Sequence, residues 1–301
     1  MKIKKGIAVL MAVLSLAGAA AESERVYADQ IDAPYLALGA DLSESEKSTV
    51  LNLLGVDASQ MDQYMVVTVT NADEHAYLDA YLDASVIGSR ALSSVVVEKK
   101  EEGTGIKVKT SNISYCTTGM YQNALATAGL ENAEVRVAGP FNISGTAALV
   151  GAMKAYGEMT GETINPENAD AATEELVITS ELGESLGEQE QAEALIGAVK
   201  DIIVAEEVEE PEKIEAVIDD TAKKMNIQLS AEDKAKIAGL MEKIGSLDLN
   251  VDALKEQAKD LYQKLEDMDI QISGEQVKGV LATIISWLEK IINVIKGWLG
   301  M

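Results

Sequence analysis

The chain has 301 residues and carries 50 acidic against 25 basic side chains, which gives a formal net charge of -25. This charge repels nucleic-acid phosphates, and no basic stripe interrupts it, so we predict no nucleic-acid binding. A single cysteine and a single histidine exclude an intramolecular disulfide and the usual Cys/His zinc site, and we predict no metal and no cofactor. The length suits about two domains, and the hydrophobic fraction of 47% is enough to pack their cores.

Residues 1–21 have the pattern of a secretory signal peptide. Three lysines precede an apolar stretch from Gly6 to Ala17, and small residues follow at positions 18–21. A second candidate cleavage site follows Ala28. The apolar stretch is too short to span a membrane comfortably. We therefore predict an exported, extracytoplasmic bacterial protein.

Residues 35–160 alternate between strand and helix patterns in the order βαβαββαβα, which predicts a mixed α/β domain. The predicted strands are Tyr35–Leu42, Met65–Thr70, Leu92–Lys99, Ile106–Ile113 and a strand around Val135 and Val137 that ends at Gly139-Pro140. A capping box beginning at Ser43 opens the first helix, and Ser144 or Asn142 is expected to cap the helix after the last strand.

The third and fourth of these strands are predicted to form a hairpin about the turn Glu101–Gly105. In the fourth strand, Ile106 and Val108 alternate with Lys107 and Lys109. This alternation predicts that one face of the strand meets solvent.

A linker at 161–168 separates this domain from residues 169–301, which contain no strand pattern. Met225–Ser230 matches Met268–Ser273 at an offset of 43 residues, with a fainter copy at Leu186-Gly187. Both clear copies are followed by a capping signal. We predict an all-α bundle of helical hairpins with a 43-residue repeat, either a short solenoid or a compact bundle.

The last helix, at 274–299, is the most apolar of the chain. Its large apolar side chains include Trp287, Ile291, Ile295 and Trp298, but charged residues interrupt it too often for a membrane span. Three interpretations stay open: the central helix of the bundle, a partner-binding helix, or an interfacial helix in peripheral contact with a membrane.

Two residues are weak candidates for catalysis. His75 precedes Asp79 by one helical turn, so the pair could orient a general base, although a surface ion pair uses the same spacing. Cys116 lies at a predicted helix N-terminus, which could lower the pKa of its thiol, although a small buried residue is the ordinary interpretation. No G-x-S-x-G, P-loop or G-x-G-x-x-G motif is present, and we favour a non-enzymatic protein.

Short polar residues follow three strands, and they are our candidate ligand-binding residues. If the strands are parallel, these turns meet at one sheet edge, where helix N-termini favour an anion or a polar ligand. Ordinary helix capping uses the same residue types. The candidates are Asn71, Thr117, Thr118, Asn142, Ser144 and Thr146.

Several segments together resemble the YpuA-like secreted proteins of Firmicutes, a family defined as a domain of unknown function. They are the signal-peptide pattern, Leu38–Ser43, Val67–Asn71, the predicted hairpin of the third and fourth strands and, most specifically, Val135–Leu149. The resemblance implies an extracytoplasmic bacterial protein and carries over no catalytic residue. We therefore expect a binding or structural protein of the cell envelope or extracellular space, whose partner is an envelope component or another protein. The alternatives are an envelope-directed, hydrolase-like enzyme that uses the polar turns, and a membrane-surface protein that acts through the last helix.

Overall fold

The computed structural model describes residues 33–161, 164–251 and 253–254. The predicted signal peptide, the second clear copy of the repeat at Met268–Ser273 and the last helix at 274–299 lie outside these residues. Within them, no helix is both long enough and apolar enough to cross a membrane.

The described chain forms five strands and nine helices, with a short 3-10 helix at Ala58–Gln63. The strands are β1 (Tyr35–Gly39), β2 (Met65–Val69), β3 (Ser94–Lys99), β4 (Ile106–Ile113) and β5 (Ala133–Ile143). The helices are α1 (Glu44–Leu54), α2 (Asn71–Leu78), α3 (Ala84–Ile87), α4 (Thr118–Thr127), α5 (Thr146–Thr160), α6 (Pro166–Leu186), α7 (Gln189–Ala205), α8 (Pro211–Lys224) and α9 (Ala231–Gly245).

All five strands belong to one sheet in the order β2-β1-β3-β5-β4. β1 pairs in parallel with β2, and β4 pairs in parallel with β5. β3 runs antiparallel to both of its neighbours, β1 and β5. Four strands therefore share one direction, and the predicted mixed α/β character is confirmed.

The predicted hairpin between β3 and β4 is wrong, because β5 lies between them. Val135 of β5 is paired with Val97 of β3 on one side and with Val108 of β4 on the other. β3 and β5 have buried residues on both faces, which suits central positions, whereas the lysines of β4 are exposed on one face. An amphipathic strand is best placed at a sheet edge, and α4 supplies the crossover that a parallel β4–β5 pair requires.

β5 also continues past the predicted end at Gly139-Pro140. Its pairing with β3 stops at Ala138, so Pro140 removes no hydrogen bond from a central ladder. Pairing with β4 resumes at Ile143 after an irregularity at Asn112, whose φ is 58°. The extension carries Phe141 and Ile143 beyond the body of the sheet.

The sheet is covered on both faces. α1 packs on one face, where Val50, Leu51 and Leu54 meet Leu36 and Val96. The helices α4 and α5 cover the other face, α2 packs against α5, and α6 and α7 pack in turn over α4. A single cluster of buried residues extends from Tyr35 to Leu254, so the described later helices share a core with the sheet. The division into two domains stays a prediction.

A buried ion pair joins this helical layer to α4. Lys200 of α7 is 2% exposed, Glu175 of α6 is fully buried, and 2.8 Å separates Nζ from Oε1. Lys200 Nζ also donates to the Asn123 carbonyl at 2.9 Å and to Thr127 Oγ1 at 3.1 Å, while the Thr127 hydroxyl donates to Glu175. All three ammonium donors thus have acceptors, which offsets much of the desolvation of both charges.

Replacing Lys200 by Met should leave the Glu175 carboxylate buried without its cation. We expect Lys200→Met to lower the free energy of unfolding by about 3 kcal/mol, measured by urea denaturation. The double variant Lys200→Met/Glu175→Leu should recover most of that loss, because neither charge of the pair remains.

The exposed pair of Lys213 and Glu210 provides the matched control. Lys213→Met should change the free energy of unfolding by no more than about 0.5 kcal/mol. A cost for Lys200→Met as small as that of Lys213→Met would contradict a structural role for the buried pair.

Candidate functional site

The three polar turns chosen from the sequence lie at one edge of the sheet. β2, β4 and β5 run in the same direction, so the chain leaves all three at that edge. Thr70 and Asn71 follow β2, Thr117 and Thr118 follow β4, and residues 142–146 end β5 and open α5. The turns nevertheless differ in what occupies them.

A cleft of about 470 Å³ opens beside the ends of β4 and β5. Its volume falls within the range of small-molecule sites, roughly 300–1,000 Å³. The lining comes from α2, the α3 region, the segment before β3, the turn after β4, the end of β5 and the start of α5. The lining residues are Glu74, Ser85, Val86, Ile87, Gly88, Ser89, Arg90, Leu92, Ser93, Ser114, Tyr115, Phe141, Ile143, Ser144, Thr146 and Ala147.

Glu74 forms the floor of the cleft and is only 1% exposed. Thr146 Oγ1 donates to Glu74 Oε1 at 2.7 Å, and Asn71 Nδ2 donates to Glu74 Oε2 at 3.3 Å. Asn71 is held in turn by the Gly88 carbonyl at 3.2 Å. Burial raises the pKa of the Glu74 carboxyl, and these two hydrogen bonds oppose the rise in pKa without cancelling it.

The sequence interpretation missed Glu74. The signal was its spacing, because Glu74 lies four residues before the fully buried Leu78 and therefore on the same inward face of α2. In a chain with 50 acidic residues, a single buried carboxylate does not stand out by residue type, since most acidic side chains are expected at the surface.

The start of α5 is capped by a residue that lies just before β3. Its N-cap residue is Gly145, with a φ of 98° and no side chain, so the expected cap by Ser144 or Asn142 is wrong. Ser93, just before β3, accepts a hydrogen bond from the Ala148 amide at 2.9 Å instead. A Cβ at position 145 would lie 2.5 Å from the Tyr121 hydroxyl, so this close contact requires glycine.

A carboxylate of the chain itself fills the turn at α4. The Thr117 hydroxyl donates to Glu193 of α7 and also accepts from the Met120 amide at 3.2 Å. A Cβ at Gly119 would lie 1.9 Å from Glu193 Oε2, so the carboxylate lies directly against the first turn of the helix. This helix N-terminus already holds an anion.

The candidate ligand-binding residues therefore separate into two groups. Ser144 and Thr146 line the cleft, with their hydroxyl oxygens 3.2 Å apart, and Asn71 supports its floor. Thr117, Thr118 and the exposed Asn142 are not among the lining residues.

Neither weak catalytic candidate lines the cleft. His75 Nδ1 lies 2.5 Å from Asp79 Oδ1 in a largely exposed pair on α2. Cys116 is 1% exposed, and burial raises the pKa of its thiol to about 12. The alternative of a thiol activated at a helix N-terminus is wrong, because α4 begins two residues later and Cys116 packs in the apolar core, as the ordinary interpretation of a small buried residue holds.

Arg90 is the single lysine or arginine among the residues that line the cleft. One guanidinium nitrogen donates to the Asp41 carbonyl at 2.7 Å and to Glu46 Oε2 at 2.8 Å. The remaining polar lining consists mainly of hydroxyls. In the described ranges, no group of three or more His, Cys, Asp or Glu residues is placed to hold a metal ion.

Comparisons with known proteins place these features in a family context. The family model for a protein of unknown function, DUF1002, matches residues 38–261. The chain is 38% identical over 259 residues to the uncharacterized protein YpuA of Bacillus subtilis (strain 168), covering 86% of this chain and 87% of that relative. No solved structure matches the chain. The resemblance noted in the sequence is thereby confirmed.

Glu74 should make stability depend on pH in a defined direction. Burial raises the pKa of Glu74 in the folded state above its value in the unfolded chain, which is about 4. The wild-type protein therefore loses stability as pH rises from the unfolded-state pKa towards the folded-state pKa. Glu74→Gln lacks this loss. We expect the free energy of unfolding of Glu74→Gln, relative to wild type, to increase between about pH 4 and pH 7.

Urea unfolding at several pH values measures this difference. Glu102, exposed in the turn after β3, provides the control, and Glu102→Gln should show a nearly constant difference from wild type. A Glu74→Gln difference that stays constant, or decreases with pH, would contradict the raised pKa.

Proposed function

Because this chain belongs to the DUF1002 family, whose function is unknown, we propose its role from the geometry of the cleft. We propose an exported, non-enzymatic binding protein of the bacterial cell envelope that holds part of an envelope polymer above Glu74. The observation that carries this proposal is a cleft of ligand size whose walls are apolar and hydroxyl-bearing and whose floor is fixed by hydrogen bonds.

The floor is preorganised, which supports binding as the role of the cleft. Asn71, Glu74 and Thr146 hold one another, and Ser93 fixes the first turn of α5. Side chains already held in place lose little conformational entropy when a ligand arrives. The walls combine hydroxyl groups with the apolar surfaces of Leu92 and Ile143, as small-molecule sites commonly do.

The envelope location rests on the sequence pattern of residues 1–21, which we propose is a cleaved signal peptide. An extracytoplasmic location would expose the cleft to wall polymers and to small solutes. The high negative charge suits a soluble protein in that compartment.

We also propose that helical hairpins continue beyond the described residues. The first clear repeat copy, Met225–Ser230, joins α8 to α9, and Ser230 caps α9 by accepting from the Asp233 amide at 3.0 Å. The fainter copy at Leu186-Gly187 joins α6 to α7. The second clear copy, 43 residues after the first, supports another hairpin of the same kind.

Co-sedimentation of the full mature chain with purified bacterial cell-wall sacculi tests the binding role. Ser89→Trp places an indole on the exposed wall of the cleft and should reduce the pelleted fraction to the level seen without sacculi. Ser48→Trp, on the exposed side of α1, adds the same side chain away from the cleft and should pellet like wild type.

Two results would contradict the proposal. One is a wild-type chain that does not pellet with sacculi. The other is a Ser89→Trp variant that pellets as well as wild type, since the binding surface would then lie elsewhere.

A hydrolase-like enzyme is the second candidate function, and Glu74 is the observation that favours it. A carboxyl whose pKa is raised by burial, at the floor of a cleft, is the kind of group that serves as a general acid. If the chain degrades wall polymer, wild type should release soluble reducing ends from sacculi, and Glu74→Gln should lower the rate by about 100-fold or more. His75→Ala should leave the rate unchanged. Absence of release by wild type would exclude this function.

A further inference from the structure

We infer that the ligand of the cleft is an uncharged, polyhydroxylated molecule with an apolar ring face, that is, a saccharide unit. This inference rests on the proposed binding role of the same cleft and names the chemical class of its ligand. Three features of the lining carry it: its one cationic side chain is already ion-paired, hydroxyl groups are dense, and a phenyl ring is exposed.

The charges of the lining disfavour an anionic ligand. The carboxyl of Glu74 lies at the floor and would repel an anion whenever it is ionised. The guanidinium of Arg90 on the wall is already paired with Glu46, which weakens its attraction for an anion. The net charge of -25 adds to the repulsion of anions. An uncharged ligand avoids this repulsion.

The polar surface that remains consists largely of hydroxyl groups. Ser85, Ser89 and Ser114 are exposed on the walls, and Ser144 is half-buried beside them. Each hydroxyl has one donor and additional acceptor capacity, so it can either donate a hydrogen bond to a sugar hydroxyl or accept one from it. Ser114 uses its donor on the Ile143 carbonyl at 3.1 Å and therefore still accepts a hydrogen bond.

Phe141 supplies the apolar surface for a sugar ring. It is the single phenylalanine of the chain, and its side chain is 50% exposed at the cleft. The extension of β5 beyond Pro140 places it there. The C–H face of a pyranose packs on an aromatic ring, and an aromatic anchor at a binding surface typically dominates affinity.

Isothermal titration calorimetry at pH 7 tests the ligand class with four probes. Two are uncharged saccharides, cellotetraose and tetra-N-acetylchitotetraose, of which the second represents the amino-sugar chemistry of wall glycans. Inorganic phosphate and spermidine represent anions and cations. We expect wild type to bind at least one saccharide and to bind neither charged probe.

Three variants assign that binding to the cleft. Phe141→Ala should weaken saccharide binding by about tenfold or more, whereas Phe141→Tyr retains the ring and should stay within about threefold of wild type. Tyr77→Ala removes another exposed aromatic side chain, on α2 outside the lining, and should leave the affinity unchanged. Urea unfolding of each variant checks that the fold is intact.

Each result supports or overturns the saccharide inference, and the last one separates it from the binding role of the cleft. Saccharide binding that Phe141→Ala weakens and Phe141→Tyr keeps supports the inference. Binding of phosphate or spermidine but of no saccharide would overturn the ligand class, and so would saccharide binding that is unaffected by Phe141→Ala. If no saccharide binds while Ser89→Trp abolishes pelleting with sacculi, the class fails and the binding role of the cleft stands.

Discussion

The insertion of β5 between β3 and β4 is the constraint on which the candidate site depends. It makes β4 and β5 parallel neighbours, so both strands end at the same edge and their following turns lie side by side. It also leaves the end of β5 free of β3, because β3 begins opposite Ala138. The free end extends past Pro140 and forms one wall of the cleft, with Ser93, just before β3, at its base.

Buried carboxylates then distinguish two turns that are alike in sequence. At the start of α4, Glu193 lies against Gly119 and fills the space that a ligand would need. At the start of α5, Glu74 lies beneath Thr146 and leaves a cleft of about 470 Å³ above it. The same interaction, a carboxylate at a helix N-terminus, therefore closes one turn and forms the floor of the other.

Local pattern predicted much of the fold because the strands are short, β-branched and bounded by turn residues. The mixed α/β class and the solvent-exposed face of β4 followed from composition and alternation. The pairing of the strands did not follow from the sequence. Because β3 and β4 are adjacent in the chain, a hairpin between them was favoured, whereas the strand that pairs with both, β5, comes two elements after β4. Ser144 and Thr146 were identified as turn residues, whereas Glu74 and Glu193 were missed, since their roles depend on contacts 72 and 76 residues away in sequence.

The central claim is that binding occurs in the cleft above Glu74, and chemical-shift mapping tests it most directly. Soluble fragments of bacterial cell wall would be titrated into the 15N-labelled mature chain while the amide resonances are followed. The account predicts that the largest shifts cluster at Ser89, Ser114 and Ser144, and that the filled turn at Thr117 stays unperturbed. Shifts that cluster away from the cleft, with those three amides unchanged, would contradict it.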